Sequence, residues 1–182
     1  YNFIISTNTG LWRYDMGDTI EFTSLSPHRI KITGRTKHFI NAFGEELMVH
    51  NAEEAIAIAT KKTNSVISEF TVAPKFDLSK TVGSHEWVIE FETEPKSLDY
   101  FIEVLDNSLK SINSDYEAKR FKNIALTKPE IIIAPKGTFY HWLKSRDKLG
   151  GQHKVPRLFN DRKHIDSIID YMKSKSGIKI VS

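Results

Sequence analysis

The chain of 182 residues carries 26 Lys/Arg against 23 Asp/Glu, 40% hydrophobic residues, 11% aromatics and no cysteine. A net charge of +3 with that apolar content predicts one folded domain, or one and a fragment of another, and excludes intrinsic disorder. The lack of cysteine excludes a disulfide scaffold, a thiol nucleophile, a zinc ribbon and iron–sulfur ligation, and predicts an intracellular protein.

Residues 2–7 read as a strand entered midway, without Met or a basic stretch ahead of an apolar one. The expectation is a chain cut from something longer, with no signal peptide. Residues 18–23 and 29–33 form a predicted antiparallel pair around Ser-Leu-Ser-Pro. A helix is expected from Asn51, with Glu54 three residues on as in a capping box, to about Thr60. Strands follow at 69–75 and 86–92. In the latter, Trp87, Ile89 and Phe91 alternate with Glu86, Glu90 and Glu92, the pattern of a half-buried sheet. Ser97 is the expected cap of a helix with its stripe at Phe101, Leu105 and Leu109. A short helix at 115–121, a buried strand at 131–134, an amphipathic segment from Thr138 to the Gly150-Gly151 stop, and a helix over 161–173 complete the chain. The predicted class is α+β, a mixed and largely antiparallel sheet flanked by about four helices. The longest apolar run, Ile131 to Ala134, is far short of the roughly 20 residues a bilayer crossing needs, so no membrane partner is expected.

Residues 136–175 hold ten Lys/Arg and four Asp/Glu, a net of +6, which with Lys179 counted separately leaves 1–135 at −4. Such a segment could face nucleic acid, nucleotide phosphates or solvent. Because Phe139 and Trp142 sit at core-like helical spacing and are not interleaved with the basic residues, nucleic acid is not the expected partner. The seven histidines include no pair at the i, i+3 or i, i+4 spacing of a helical metal site, so no metal ligand is assigned and they are read as mostly surface. There is no G-x-S-x-G, P-loop or dinucleotide fingerprint, and Gly83-Ser84 reads as a polar loop.

Three clusters remain. Residues 10–18, G-L-W-R-Y-D-M-G-D, put an arginine, aromatics and carboxylates around a turn. A carboxylate there can accept both hydroxyls of a ribose, or Asp15 and Asp18 make turns and Trp12 and Tyr14 are core. The second cluster is Gly34-Arg35-Thr36-Lys37 followed by Phe43-Gly44-Glu45-Glu46. The third, Gly150 to Arg157, suits either phosphate stabilisation or a solvated basic loop. A stand-alone α+β domain binding a nucleotide, nucleic acid or another partner is compatible with these residues.

The run S-T-N-T-G-L-W-R-Y-D-M-G-D at 6–18, Gly137-Thr138-Phe139, and Gln152-x-Lys154-x-Pro156-Arg157 resemble, in order and spacing, the C-terminal portion of the auxin-responsive (Gretchen Hagen) acyl-acid amido synthetases of the acyl-adenylate-forming superfamily. The resemblance implies a two-step ligase. ATP and a small carboxylic acid give an acyl-adenylate and pyrophosphate with Mg2+ on the phosphates, and an amine, usually of an amino acid, then displaces AMP. It implies that Asp18 holds the ribose, that Tyr14 and Arg13 line the nucleotide side, and that Lys154 reaches the α-phosphate and carboxylate, with Arg157 and Gln152 supporting the phosphate side. Arg35, Thr36 and Lys37 become hinge candidates. Residues 1–34 would be the final strands of a large N-terminal adenylation domain and 35–182 the mobile C-terminal domain of a cytoplasmic enzyme. The phosphate loop and acid pocket would lie in the missing N-terminal domain, leaving this chain inactive alone. At Phe43 to Glu46 the sequence departs from the lysine-bearing plant pattern, and no role is assigned there.

Overall fold

Directly opposed apolar pairs build the first sheet. Strands β1 (Asn2–Ile5), β2 (Tyr14–Leu25) and β3 (His28–Arg35) pair antiparallel in that order. Ile20 faces Ile32 and Phe22 faces Ile30, so the four share one side, while Glu21 and Lys31 form a 3.9 Å ion pair on the other. The computed structural model describes residues 1–35, 39–76, 82–147 and 154–176.

A two-stranded ladder of β4 (Phe39–Ile40) and β5 (Leu47–Met48) leads into helix α1 (Val49–Thr63). This helix opens before Asn51, whose Oδ1 accepts the Met48 N–H at 3.0 Å, so Asn51 reaches back to the cap instead of being it. It runs about one turn past Thr60 and stops at Asn64, which adopts φ 51° and donates its N–H to the Thr60 carbonyl.

The second sheet has the order β6-β7-β8, with β6 (Val66–Phe76) antiparallel to β7 (Gly83–Thr93) and β8 (Glu130–Ala134) parallel to β7. Between β7 and β8 lie α2 (Leu98–Ile112), α3 (Ser114–Arg120) and a 3-10 turn (Phe121–Asn123). Ser97 caps α2 as expected, accepting the Tyr100 N–H at 3.2 Å. Helices α4 (Thr138–Lys144) and α5 (Lys163–Ser176) follow, making five where about four were expected, because the short α3 and α4 are both separate helices. The α+β class stands.

The half-buried sheet does not. One face packs Phe70, Val72, Trp87, Ile89 and Phe91 against α1 and α2, and each fully buried side chain on α2 (Phe101, Leu105, Leu109) contributes about 1.5–3 kcal/mol. The opposite face packs Ala73, Val88 and Ala134 against Phe139 and Trp142 of α4 and Ile165, Ile168, Ile169 and Met172 of α5. Strand β7 is therefore buried from Gly83 to Phe91, including Glu86 and Glu90, which were expected in solvent. Gly83 is not a loop residue either: a Cβ there would lie 2.2 Å from Phe43 Cζ and 2.7 Å from the Lys75 carbonyl oxygen.

Candidate functional site

The segment joining β1 to β2 and the first residues of β2 are shaped by small polar residues. Ser6 Oγ accepts the Arg13 N–H at 3.0 Å, with Arg13 at φ 48°, and Asp15 Oδ1 accepts the Gly17 N–H at 2.8 Å, with Gly17 at φ 70°. Asp15 lies on β2 opposite Ile4 and its bond to Gly17 sits at the bulge of that strand, so neither it nor Asp18 makes the connecting turn that the residue-type reading gave them. The same reading fails for the aromatics: Trp12 is 82% and Tyr14 52% exposed, so neither is core. Asp18 is half-buried on β2, and its register partner is Arg35 at the end of β3. The structure thus brings the ribose candidate and the first hinge candidate side by side, while Arg13 and Tyr14 are exposed toward the start of β2. Thr36 and Lys37 lie outside the described residues.

Lys154 is exposed at the head of a segment fixed along its whole length. Val155 is buried with the α4/α5 side of the sheet, and Leu158 is fully buried on the α1/α2 side. Thr71 Oγ1 donates to the Pro156 carbonyl at 2.7 Å and the Val72 N–H to the Arg157 carbonyl at 2.7 Å. The Phe159 N–H donates back to Val72 at 3.3 Å. Residues 156–159 therefore lie along β6 as a short added strand, bridged in parallel at Val72 and Leu158. The Arg157 guanidinium stacks 5.0 Å from the Phe70 ring centroid, pairs with Glu53 of α1, and lies 3.5 Å from Glu69. It closes one end of a groove of about 410 Å³ between α1 and β6, lined also by Ile56, Thr60 and Ile67. Gln152, Gly150 and Gly151 lie outside the described residues.

Helix α1 connects the two groups. His50 in its first turn places Nδ1 3.3 Å from the Thr33 carbonyl of β3, two residues before Arg35, and Glu53 one turn on holds Arg157. Just before α1, the 43–46 cluster is anchored from below. Glu45 is fully buried, accepts the Phe43 N–H at 2.7 Å, and lies 2.8 Å from His85 Nε2. Burial alone would raise the Glu45 carboxyl, but the hydrogen bond and charge of His85 hold it below its ordinary value. His85, 1% exposed, is an exception to the expected surface histidines (His28, His50 and His141 are exposed), and its Nδ1 is buried with no partner among the described residues.

The Gly137-Thr138-Phe139 motif is explained by a residue the sequence pattern put in solvent. Glu90 accepts the Gly137 N–H at 2.7 Å and the Phe139 N–H at 3.2 Å, one on each carboxylate oxygen. Gly137 adopts φ 81°, the Thr138 hydroxyl bonds the Pro135 carbonyl at 2.6 Å, and Phe139 is core. A second buried carboxylate, Asp106, takes Arg120 through both oxygens (2.7 and 2.9 Å), Lys110 at 2.6 Å and the Tyr116 hydroxyl at 2.9 Å, tying α2 to α3. A third, Glu86, binds Arg162 at 2.6 Å and Lys75 at 3.1 Å, securing the start of α5. None was legible as a pair, because the partners are 14 to 76 residues away, apart from Lys75, Lys110 and Tyr116 at 4 to 11.

Residues 50–163 match the C-terminal domain of the GH3 family, and residues 1–35 match its central domain. The chain belongs to the GH3 family. It is 24% identical over 170 residues to the indole-3-acetic acid-amido synthetase GH3.3 of Arabidopsis thaliana, covering 86% of this chain and 28% of that protein. The solved structure of the GH3.15 acyl acid amido synthetase superposes on 94% of this chain and 33% of its own, with TM-score 0.72 at 19% identity. A GH3.15 structure in complex with 2,4-DB gives 0.70 at 18%, over 94% and 32%. This chain thus spans about a third of these relatives. Arg13, Tyr14, Asp18 and Arg35 fall within the central-domain match, and Lys154 and Arg157 within the C-terminal one. Among the described residues no helix is long and apolar enough to cross a membrane.

Proposed function

We propose that this GH3 chain is the C-terminal part of an ATP-dependent acyl-acid amido synthetase, with 1–34 closing the large adenylation domain and 35–182 forming a mobile domain. The reaction joins the carboxylate of a small acid to the α-phosphate of ATP with loss of pyrophosphate. The amine of an amino acid then attacks the acyl carbon and AMP leaves. The observation that carries this reading is the exposed lysine at the head of a fully anchored segment, in a chain of this family. A flexible ammonium on a rigid base can be brought to the developing charge of the adenylation step and withdrawn with its domain.

Asp18, paired with Arg35 at the open end of the β2–β3 ladder, is the ribose ligand in this proposal, with Tyr14 and Arg13 on the nucleotide side. Arg35, Thr36 and Lys37 form the turning point. Arg157 acts through its grip on Glu53 and Glu69, supporting the phosphate side by holding the lysine's segment, and Gln152 is assigned the same supporting role. Mg2+ would ride on the phosphates of ATP and neutralise their charge; among the described residues no group of three or more His, Asp or Glu could hold an ion. The rest of the polypeptide supplies the phosphate loop and acid pocket, and the reaction belongs in the cytoplasm.

The test uses the complete polypeptide with a panel of acids headed by indole-3-acetic acid, the acid in the name of the Arabidopsis relative. Lys154→Ala is expected to slow acyl-adenylate formation by about 10²-fold or more while sparing amide formation from preformed adenylate. Equal loss in both half-reactions would make Lys154 structural. Asp18→Ala is expected to weaken ATP binding, and unchanged affinity would remove its assignment. The isolated chain is expected to release no pyrophosphate.

A further inference from the structure

The adenylation role given to Lys154 requires that something set where the lysine is presented. Four main-chain and side-chain bonds fasten 156–159 to β6, and these fix the segment on its own sheet. A contact of another kind ties the segment to a different element: the Arg157 guanidinium to Glu53 of α1, 104 residues away in sequence. The same helix, one turn earlier, touches the β3 carbonyl of Thr33 through His50. A line of contacts thus runs from the end of the β2–β3 ladder that carries Asp18 and Arg35, through the first two turns of α1, to the residue three places beyond Lys154.

We infer that Glu53 is a positioning residue for acyl-adenylate formation: by holding Arg157 it sets the placement of Lys154 relative to the Asp18–Arg35 end of the β2–β3 ladder. Glu53 itself is exposed on the helix surface, so removing its carboxylate leaves both cores and all the bonds to β6 in place. What is lost is the link between α1 and the lysine's segment. Because Arg157 keeps Glu69 at 3.5 Å and the Phe70 ring beneath it, the segment stays on the sheet with one fewer restraint. A small misplacement of a group acting on the transition state lowers its rate with little change in ground-state binding.

The experiment measures ATP–pyrophosphate exchange and amide formation from preformed adenylate in the complete polypeptide, with the best acid of the panel, for Glu53→Ala, Arg157→Ala, their combination, and Glu54→Ala as the neighbouring surface control. Glu53→Ala is expected to lower kcat for adenylation about 10- to 100-fold with KM for ATP held, leaving the second half-reaction and the melting temperature at parent values. The double variant is expected to lose no more than Arg157→Ala alone, and Glu54→Ala to behave as the parent. Parent-level adenylation by Glu53→Ala in an enzyme that Lys154→Ala disables overturns the inference. So does equal slowing of both half-reactions, or multiplication of the two single losses. If Lys154→Ala is itself without effect, the adenylation role falls first, and the inference falls with it.

Discussion

Glu90→Ala tests the view that a buried carboxylate, and not helix propensity, holds the Gly-Thr-Phe turn. The Glu90 carboxylate is 8% exposed and receives two amide protons, from Gly137 and Phe139, at 2.7 and 3.2 Å. A hydrogen bond to a charged group contributes about 1.5–3 kcal/mol net, and a buried amide left without an acceptor costs about 1–3 kcal/mol. Loss of both acceptors, softened where water reaches the half-buried Gly137, is worth about 3 kcal/mol. For a chain of this size that is about 6–12 °C in Tm. Glu90→Gln keeps one acceptor oxygen and is expected to lose about half as much. Urea unfolding of the chain, followed by tryptophan fluorescence, reads the loss beside α4 through Trp142. A Glu90→Ala midpoint within about 1 kcal/mol of the parent, or a Glu90→Gln loss equal to that of Glu90→Ala, would refute the reasoning.

Asp106→Ala is expected to destabilise by about 3–5 kcal/mol, because it strands the buried Arg120 guanidinium, and Asp106→Asn by less; denaturant midpoints check the order. The pH dependence follows from three carboxyls. In Glu45, Asp106 and Glu130, burial pushes the pKa up, but hydrogen bonds and charge from His85, from Arg120, Lys110 and Tyr116, and from Lys75 and Ser84 bring each below its ordinary value. Lowered pKa values in the folded state stabilise it above the ordinary values, 4.5 for Glu and 3.8 for Asp. That stabilisation is withdrawn as the pH falls through the folded-state values. The unfolding midpoint is therefore expected to hold from about pH 7 to pH 5 and to drop steadily below about pH 4. A midpoint unchanged down to about pH 3 would contradict the assignment.

Elements whose signals are local were legible in the sequence. Ser97 with the Phe101, Leu105, Leu109 stripe gave α2, and Ile165, Ile168, Ile169 and Met172 gave α5. What failed was the environment of β7. An alternating strand looks the same whether its polar side meets water or a second helical layer, and only the distant partners of Glu86 and Glu90 decide which. Asn51 does take part in the cap, but as the residue that reaches back to Met48 and not as a cap answered by Glu54, because the helix follows directly on β5 and begins at Val49. For the candidate site, motif order singled out Asp18 and Lys154, yet nothing local revealed that Arg157 is gripped by α1, or that Trp12 and Tyr14 stay at the surface.

Val155 and Leu158, three residues apart, enter opposite cores of the second sheet. The segment that presents Lys154 is in effect threaded around the rim of that sheet, with one anchor in each layer. A loosening of either layer, by a substitution far from the lysine, would slacken its seat before the domain unfolds. A saturation scan of activity would then show a diffuse map of damaging positions spread through both helical layers, with no tight halo around Lys154. Function in such an arrangement is a sensitive gauge of packing quality across the entire domain.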